Sequence, residues 1–263
     1  YHLAKKCLEK GWQVTSISSR QPKKIRYLSK VKYIICDITK KKSLKRKIQK
    51  PFKYVVNLGG YVDHSNKKKT FESHYIGCKN LVEIFLKKRP KAFVQMGSSV
   101  EYGNSESPQK ENVRFNPKSI KSIYGKAKLL SSIYLIDLYK SKKFPSTVLR
   151  LYLAYGPRQD INRFLPIIIK ACIKNKKFSC SEGVQLRDFV HVDDVVDAIF
   201  KSLINEKAKG QIINIGSGKP KKIRNIIKRV KKILKGGYPQ FGKIKLRKDE
   251  ILKLYPSIKK ARK

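Results

Sequence analysis

The sequence predicts an α/β fold: a parallel sheet wrapped by helices on both faces, followed by a smaller α/β lobe. Three observations carry this. Short apolar runs of strand length alternate with helical segments through the first 151 residues. Several of those runs close on Asp37, on Gly59-Gly60 and on Ser98-Ser99. These are the carboxyl ends of parallel strands, where doubly wound sheets collect their ligands. Beyond residue 151 the alternation loosens, which marks 152–263 as a second, smaller lobe.

The elements follow in order. Residues 2–10 read as a helix with Leu3, Cys7 and Leu8 on one face and Gly11 as its stop. Val14 to Ser18 is a strand, and Tyr33 to Cys36 is a second apolar run ending at Asp37. Lys41 to Ile48 is a polar helix, and Tyr54 to Leu58 is a buried strand closing on Gly59-Gly60. Phe71 to Lys88 is one amphipathic helix ended by Pro90. Phe93 to Met96 is a strand, Ile123 to Tyr139 a long helix and Thr147 to Leu151 a further strand. In the second lobe Phe164 to Lys174, Val192 to Ile204 and Ile223 to Leu234 are helices, with a strand at Ile212 to Ile215.

Composition narrows the function classes. Among 263 residues, 40% are hydrophobic, which is enough for a packed core. No apolar run reaches the roughly 18–20 residues that a membrane span requires. Five scattered cysteines without metal-ligand spacing argue for a reducing, cytoplasmic setting and against a disulfide scaffold or metal site. The net charge is +45, from 63 Lys plus Arg against 18 Asp plus Glu. Fifty of those cations are Lys and thirteen are Arg. They are spread over the whole chain, so the charge reads as a surface coating and specific nucleic-acid recognition is not expected.

Three groups of residues carry chemistry. Tyr124 and Lys128 stand four apart at the start of a helix, so phenol and ammonium share a face. A neighbouring ammonium lowers a phenol pKa and lets tyrosine serve as acid or base. Gly97-Ser98-Ser99-Val100-Glu101-Tyr102-Gly103 follows a buried strand and offers a hydroxyl to a substrate oxygen. Arg187 is a candidate diphosphate clamp, and Asp193 or Asp194 is placed to cap the next helix.

Taken together and in order, these segments resemble the extended short-chain dehydrogenase/reductase family, the NAD-dependent epimerases and dehydratases that modify nucleotide sugars. The resemblance implies a Rossmann-like dinucleotide-binding domain over 1–151 and a mainly substrate-binding lobe over 152–263, partly interleaved with it, with Ser98, Tyr124 and Lys128 as catalytic residues and Ser99 and Arg187 meeting substrate. Asp37-Ile38 resembles the pair that meets the adenine, and Asn57-Leu58-Gly59-Gly60 the strand end whose Leu58, Gly59 and Gly60 lie along the cofactor. Tyr124 and Lys128 would also hold the nicotinamide ribose. Arg150 to Pro157, Arg187 to Asp194 and Asn214 to Gly218 resemble three further family motifs, with Leu153 replacing the usual Asn of the first. The chain opens with Tyr1-His2-Leu3, just past where the family's glycine-rich turn ends, and it stops short of the family's usual end. It is therefore expected to be a fragment that lacks the first strand and the phosphate-cradling turn and that, as given, binds dinucleotide poorly or does not fold well.

At the end of the second family strand stand Ser18, Ser19 and Arg20, with no carboxylate to repel a 2′-phosphate. NADP is therefore expected over NAD. No acidic pair follows Ser98, which disfavours elimination; a 4-ketoreductase is expected, with a 4-epimerase as the alternative. From another class, a degenerate dinucleotide fold bound to RNA through its charge is the competing expectation. The helices at 71–88 and 123–139 are expected to build a four-helix bundle in a homodimer.

Overall fold

The computed structural model describes residues 1–63, 65–112, 117–246 and 250–263. Helix α1 (His2–Glu9) leads into strand β1 (Val14–Ser18), then β2 (Val31–Ile35), α2 (Lys41–Lys47) and β3 (Tyr54–Asn57). A rod follows in three parts: α3 (Lys67–Phe71), a π-helical turn (Glu72–Ile76) and α4 (Gly77–Lys87). Next come β4 (Ala92–Ser98), a 3₁₀ turn (Ser99–Tyr102), the long α5 (Ile123–Lys142) and β5 (Ser146–Leu151). Strand β6 (Leu153–Tyr155) and α6 (Phe164–Ile173) open the smaller lobe. It continues with β7 (Lys177–Ser179), β8 (Leu186–Arg187), β9 (Phe189–His191) and α7 (Val192–Ile204). Strand β10 (Ile212–Ile215), β11 (Lys221–Lys222), α8 (Ile223–Leu234), β12 (Tyr238–Gln240) and β13 (Lys253–Leu254) complete the chain.

The expected doubly wound parallel arrangement is present. Strands β3, β4, β5 and β10 lie side by side in that order, all parallel, and β1 pairs with β2, also parallel. On one face, α2, α4 and α5 bury Leu44, Val82, Phe85 and Leu135 against Phe93 and Val148. On the other, Val195, Ile199 and Leu203 of α7 pack on Val94, Met96 and Leu149, with Leu3 of α1 alongside. A third cluster, Ile168, Cys172, Cys180 and Ile227, joins α6 to α8 in the small lobe. Strand β10 lies beyond residue 151 in sequence yet pairs with β5, and so places Asn214 beside Arg150.

Two local expectations change. The single helix expected over 71–88 begins at Lys67 and contains the π turn. Asn66 starts it, its side chain accepting the Lys69 N–H at 2.9 Å. The cap of α7 is His191, whose Nδ1 accepts the Asp193 N–H at 3.4 Å, and not Asp193 or Asp194. Those two carboxylates stand in the first turn, where they complement the helix dipole.

Candidate active site

The site is built where β4 stops. Ser98 caps the 3₁₀ turn in a reciprocal box: its side chain takes the Glu101 N–H, and the Glu101 carboxylate takes the Ser98 N–H at 2.8 Å. Glu101 is fully buried. Its other oxygen accepts the Ser132 hydroxyl at 2.7 Å and the Arg150 Nε at 2.8 Å. Arg150, 2% exposed, lies over the Tyr102 ring at 4.4 Å, and the Tyr102 hydroxyl donates to Asn214 Oδ1 at 2.7 Å. A Cβ on Gly97 would stand 2.6 Å from the Glu101 carboxylate, so the strand end must be glycine for the carboxylate to fit.

Helix α5 brings the second half. Ser122 caps it by accepting the Gly125 N–H at 3.0 Å, which sets Tyr124 in the first turn. Gly125 allows that turn to lie against the Val100 carbonyl, where a Cβ would come within 3.0 Å. Tyr124 is hydrogen-bonded to the Ser98 side chain. One turn on, Lys128 is 4% exposed and donates from Nζ to the Met96 carbonyl at 2.7 Å; its Nζ is 5.9 Å from the centre of the Tyr124 ring. Ser98, Tyr124 and Lys128 therefore converge at the end of β4.

The electrostatics differ from the expectation. Burial pushes the Tyr124 phenol above its ordinary range and the Glu101 charge adds to this, while the Ser98 hydrogen bond and the Arg163 charge oppose it. Lys128 is not among the groups that lower it. The lysine is itself desolvated, its pKa brought down to about 8 by burial, with Glu101 opposing that fall.

The strand-end residues lie near this centre. Asn57 bridges Gln95 Oε1 (2.8 Å) and the Gly59 N–H (3.1 Å), leaving Leu58 53% exposed. Gly60 packs its backbone on the ring of His74, which meets Tyr124 edge-on at 4.8 Å. Asp37 is exposed and closes its own turn by accepting the Thr39 N–H at 2.9 Å. Ile38 is half-buried against Gly59 and Gly77. Ser18 donates its hydroxyl to the Arg20 carbonyl, and the Arg20 side chain is exposed.

Two expected substrate residues stand otherwise. Ser99 is buried within the 3₁₀ turn. Arg187 is paired with Glu250 and also donates to its own neighbour's carbonyl, that of Leu186, at 2.9 Å. Asp188 of the same motif is buried and holds the loop after β10, taking the Ser217 N–H at 2.6 Å and the Ser217 hydroxyl at 3.0 Å. The C-terminal segment is sewn in below. Gln109 accepts the Ser257 N–H at 2.8 Å and donates its own N–H to Tyr255. A cavity of about 230 Å³ opens at the start of α1, lined among others by His2, Arg26, Tyr155 and Arg158. Among the described residues no cluster of His, Cys, Asp and Glu gathers to hold a metal ion.

Glu101 and His74 are the residues that sequence reasoning missed. Ser98-x-x-Glu101 is the spacing of a capping box, so the role of Glu101 had a signal. His74 had none, because the π turn that aims it inward breaks the period on which helix faces are read.

The profile of the NAD dependent epimerase/dehydratase family matches residues 1–216. The chain belongs to that family. This family member is 28% identical over 177 residues to a dTDP-D-glucose 4,6-dehydratase of Dictyostelium discoideum, an alignment covering 62% of this chain and 41% of that protein. It is 31% identical over 177 residues to an ADP-L-glycero-D-manno-heptose-6-epimerase of Brachyspira hyodysenteriae, covering 64% and 54%. The match thus spans about half the length of these curated relatives. In fold it is similar to the UDP-glucose 4-epimerase of Thermus thermophilus in complex with NAD. The TM-score is 0.85 at 21% identity, over 99% of this chain and 88% of that one.

Proposed function

We propose that this family member is an NAD(P)-dependent oxidoreductase of nucleotide-diphosphate sugars that works by hydride transfer, with reduction of a 4-keto sugar as its reaction. The observation that carries this reading is the convergence of Ser98, Tyr124 and Lys128 at the carboxyl end of β4.

The residues present fit a dinucleotide. Gly59 and Gly60 leave a strand end with no side chain in the way, Leu58 is exposed beside them, and Asp37 is open at the neighbouring edge. The first turn of α1, with Arg26 and Arg158 lining the cavity beside it, suits a diphosphate. A bound nicotinamide supplies or accepts the hydride. Tyr124 then gives its phenolic proton to the sugar oxygen as that oxygen gains charge, or takes it in reverse. Ser98 Oγ holds the same oxygen in line, and Lys128 binds the ribose. Ser18 and Arg20 make NADP the preferred cofactor, since no carboxylate stands at that strand end to repel a 2′-phosphate. Arg187 clamps the substrate diphosphate once Glu250 is displaced from it.

The fate of Glu101 favours reduction or epimerisation over dehydration. It is the acid nearest to Ser98 in sequence, and both of its oxygens are engaged by Ser98, Ser132 and Arg150. It has no free proton-transfer role in an elimination. The second reading is a 4-epimerase, because the same three residues serve both reactions. The unit is a cytoplasmic homodimer joined through α4 and α5, the second of which exposes Ile133.

Two assays test this. Incubation of the full-length protein with a nucleotide 4-keto sugar and NADPH should oxidise the cofactor, and Tyr124→Phe should lower that rate by about 10²–10⁴-fold. Turnover of a UDP-hexose without net oxidation of NADPH would instead establish the epimerase. Tighter binding of NADH than NADPH would overturn the cofactor assignment.

A further inference from the structure

His74 lies in the π-helical turn between α3 and α4, and the extra residue of such a turn re-aims the side chains around it. The outcome here is an imidazole buried to 6% exposure between two parts of the site. On one side it meets the Tyr124 ring edge-on, with centroids 4.8 Å apart and planes at 69°. On the other it supports Gly60, where a Cβ would fall 1.8 Å from His74 Cε1. Its Nε2 donates to the Tyr61 carbonyl at 3.1 Å, which ties the ring to the same strand-end turn. Its backbone carbonyl accepts the Ser131 hydroxyl at 2.8 Å, and Ser131 lies two turns along α5 from Tyr124. The ring is thus tied to the cofactor-side turn through Tyr61, and the backbone that carries it to the Tyr124 helix through Ser131.

We propose that His74 is a positioning residue, a rigid spacer that sets the Tyr124 phenol relative to the Gly59–Tyr61 turn. Hydride transfer and proton transfer act on adjacent atoms of one carbonyl, so a fixed offset between cofactor-side turn and phenol is a requirement of the reaction. The inference rests on the reading of Tyr124 as the acid–base group. A histidine present only as filling would be replaceable by any side chain that restores stability; a spacer is replaceable only by a ring.

His74→Ala and His74→Phe separate these. His74→Ala should lower kcat by about tenfold or more and raise the KM for NADPH, since a small misplacement of a reacting group has effects of this size. His74→Phe restores the ring but not the bond to Tyr61. It should recover kcat to within about threefold of wild type while the raised KM persists. Losses that follow the melting temperature in both variants, or an unchanged kcat in His74→Ala, would overturn the proposal. A second measurement does not depend on turnover. In protein labelled at tyrosine Cζ, the resonance that disappears in Tyr124→Phe should shift in His74→Ala, stay near its place in His74→Phe, and leave the exposed Tyr238 unchanged. A Tyr124 resonance that ignores His74→Ala refutes the spacer even if the protein proves active. A wild-type protein without dinucleotide-linked turnover refutes the functional reading, and the spectrum still decides the contact.

Discussion

Burial of the Lys128 ammonium works against the folded state at neutral pH. Its pKa stands at about 8 in the folded chain, against an ordinary value of 10.5. Between those values the unfolded chain holds more protons than the folded one, so this residue's penalty is full below pH 8 and fades as pH rises to 10.5. Lys128→Met should therefore melt at or above the wild-type temperature at pH 7, with activity lost, and the gap should close towards pH 10. Melting scans of both proteins at pH 7, 8.5 and 10 check this; a gap independent of pH would refute it. Glu101 has the opposite character. Glu101→Gln leaves the Arg150 guanidinium buried without its counter-charge and should destabilise by about 3–5 kcal/mol, measured by urea unfolding. Adding Arg150→Met to that variant should recover part of the loss. Residue types at fixed spacing made Ser98, Tyr124 and Lys128 legible in the sequence. The desolvation of Lys128 was not, because it depends on a burial that only the folded chain provides.

At the scale of elements, the position of Tyr124 within the first turn of α5 links helix stability to catalysis. Ser122→Ala removes the cap and should cost about 1 kcal/mol. Fraying of that turn disturbs Tyr124 directly, so kcat should fall further than the stability loss alone explains, as parallel kinetics and thermal melts would reveal. The long helices and the sheet strands were legible because their apolar periods are uninterrupted. The start of α3 was not: Lys67, Lys68, Lys69 and Thr70 carry no apolar spacing, and the signal lay in Asn66 alone. The strands of two and three residues in the small lobe are too short to show any period, and pairings such as β8 with β11 and β13 are set by tertiary contacts.

Across the whole molecule the charge decides behaviour in solution. Against a net +45, the acids form few stabilising pairs. Of the ion pairs among the described residues, Glu101–Arg150 is fully buried and most others are exposed ones worth little. Self-repulsion should therefore dominate, and the melting temperature should rise as NaCl goes from about 10 mM to 150 mM, over which the screening length falls from roughly 30 to 8 Å. A melting temperature that falls over that range would contradict it. The composition gave this charge in full, but not its consequence for the site, where Glu101 and Asp188 are the acids held inside among the described residues.

The bonds from Gln109 and Asn214 to Ser257 have a meaning in time as well as in space. During synthesis Gln109 and Asn214 emerge before the C-terminal segment that bonds to them. Contacts of such long sequence separation form late and slowly. The brace on Asn214, which accepts the Tyr102 hydroxyl, is therefore secured only near the end of folding, after the sheet that carries it. Pulse-labelled hydrogen exchange should find the amides of β4 and β5 protected before that of Ser257.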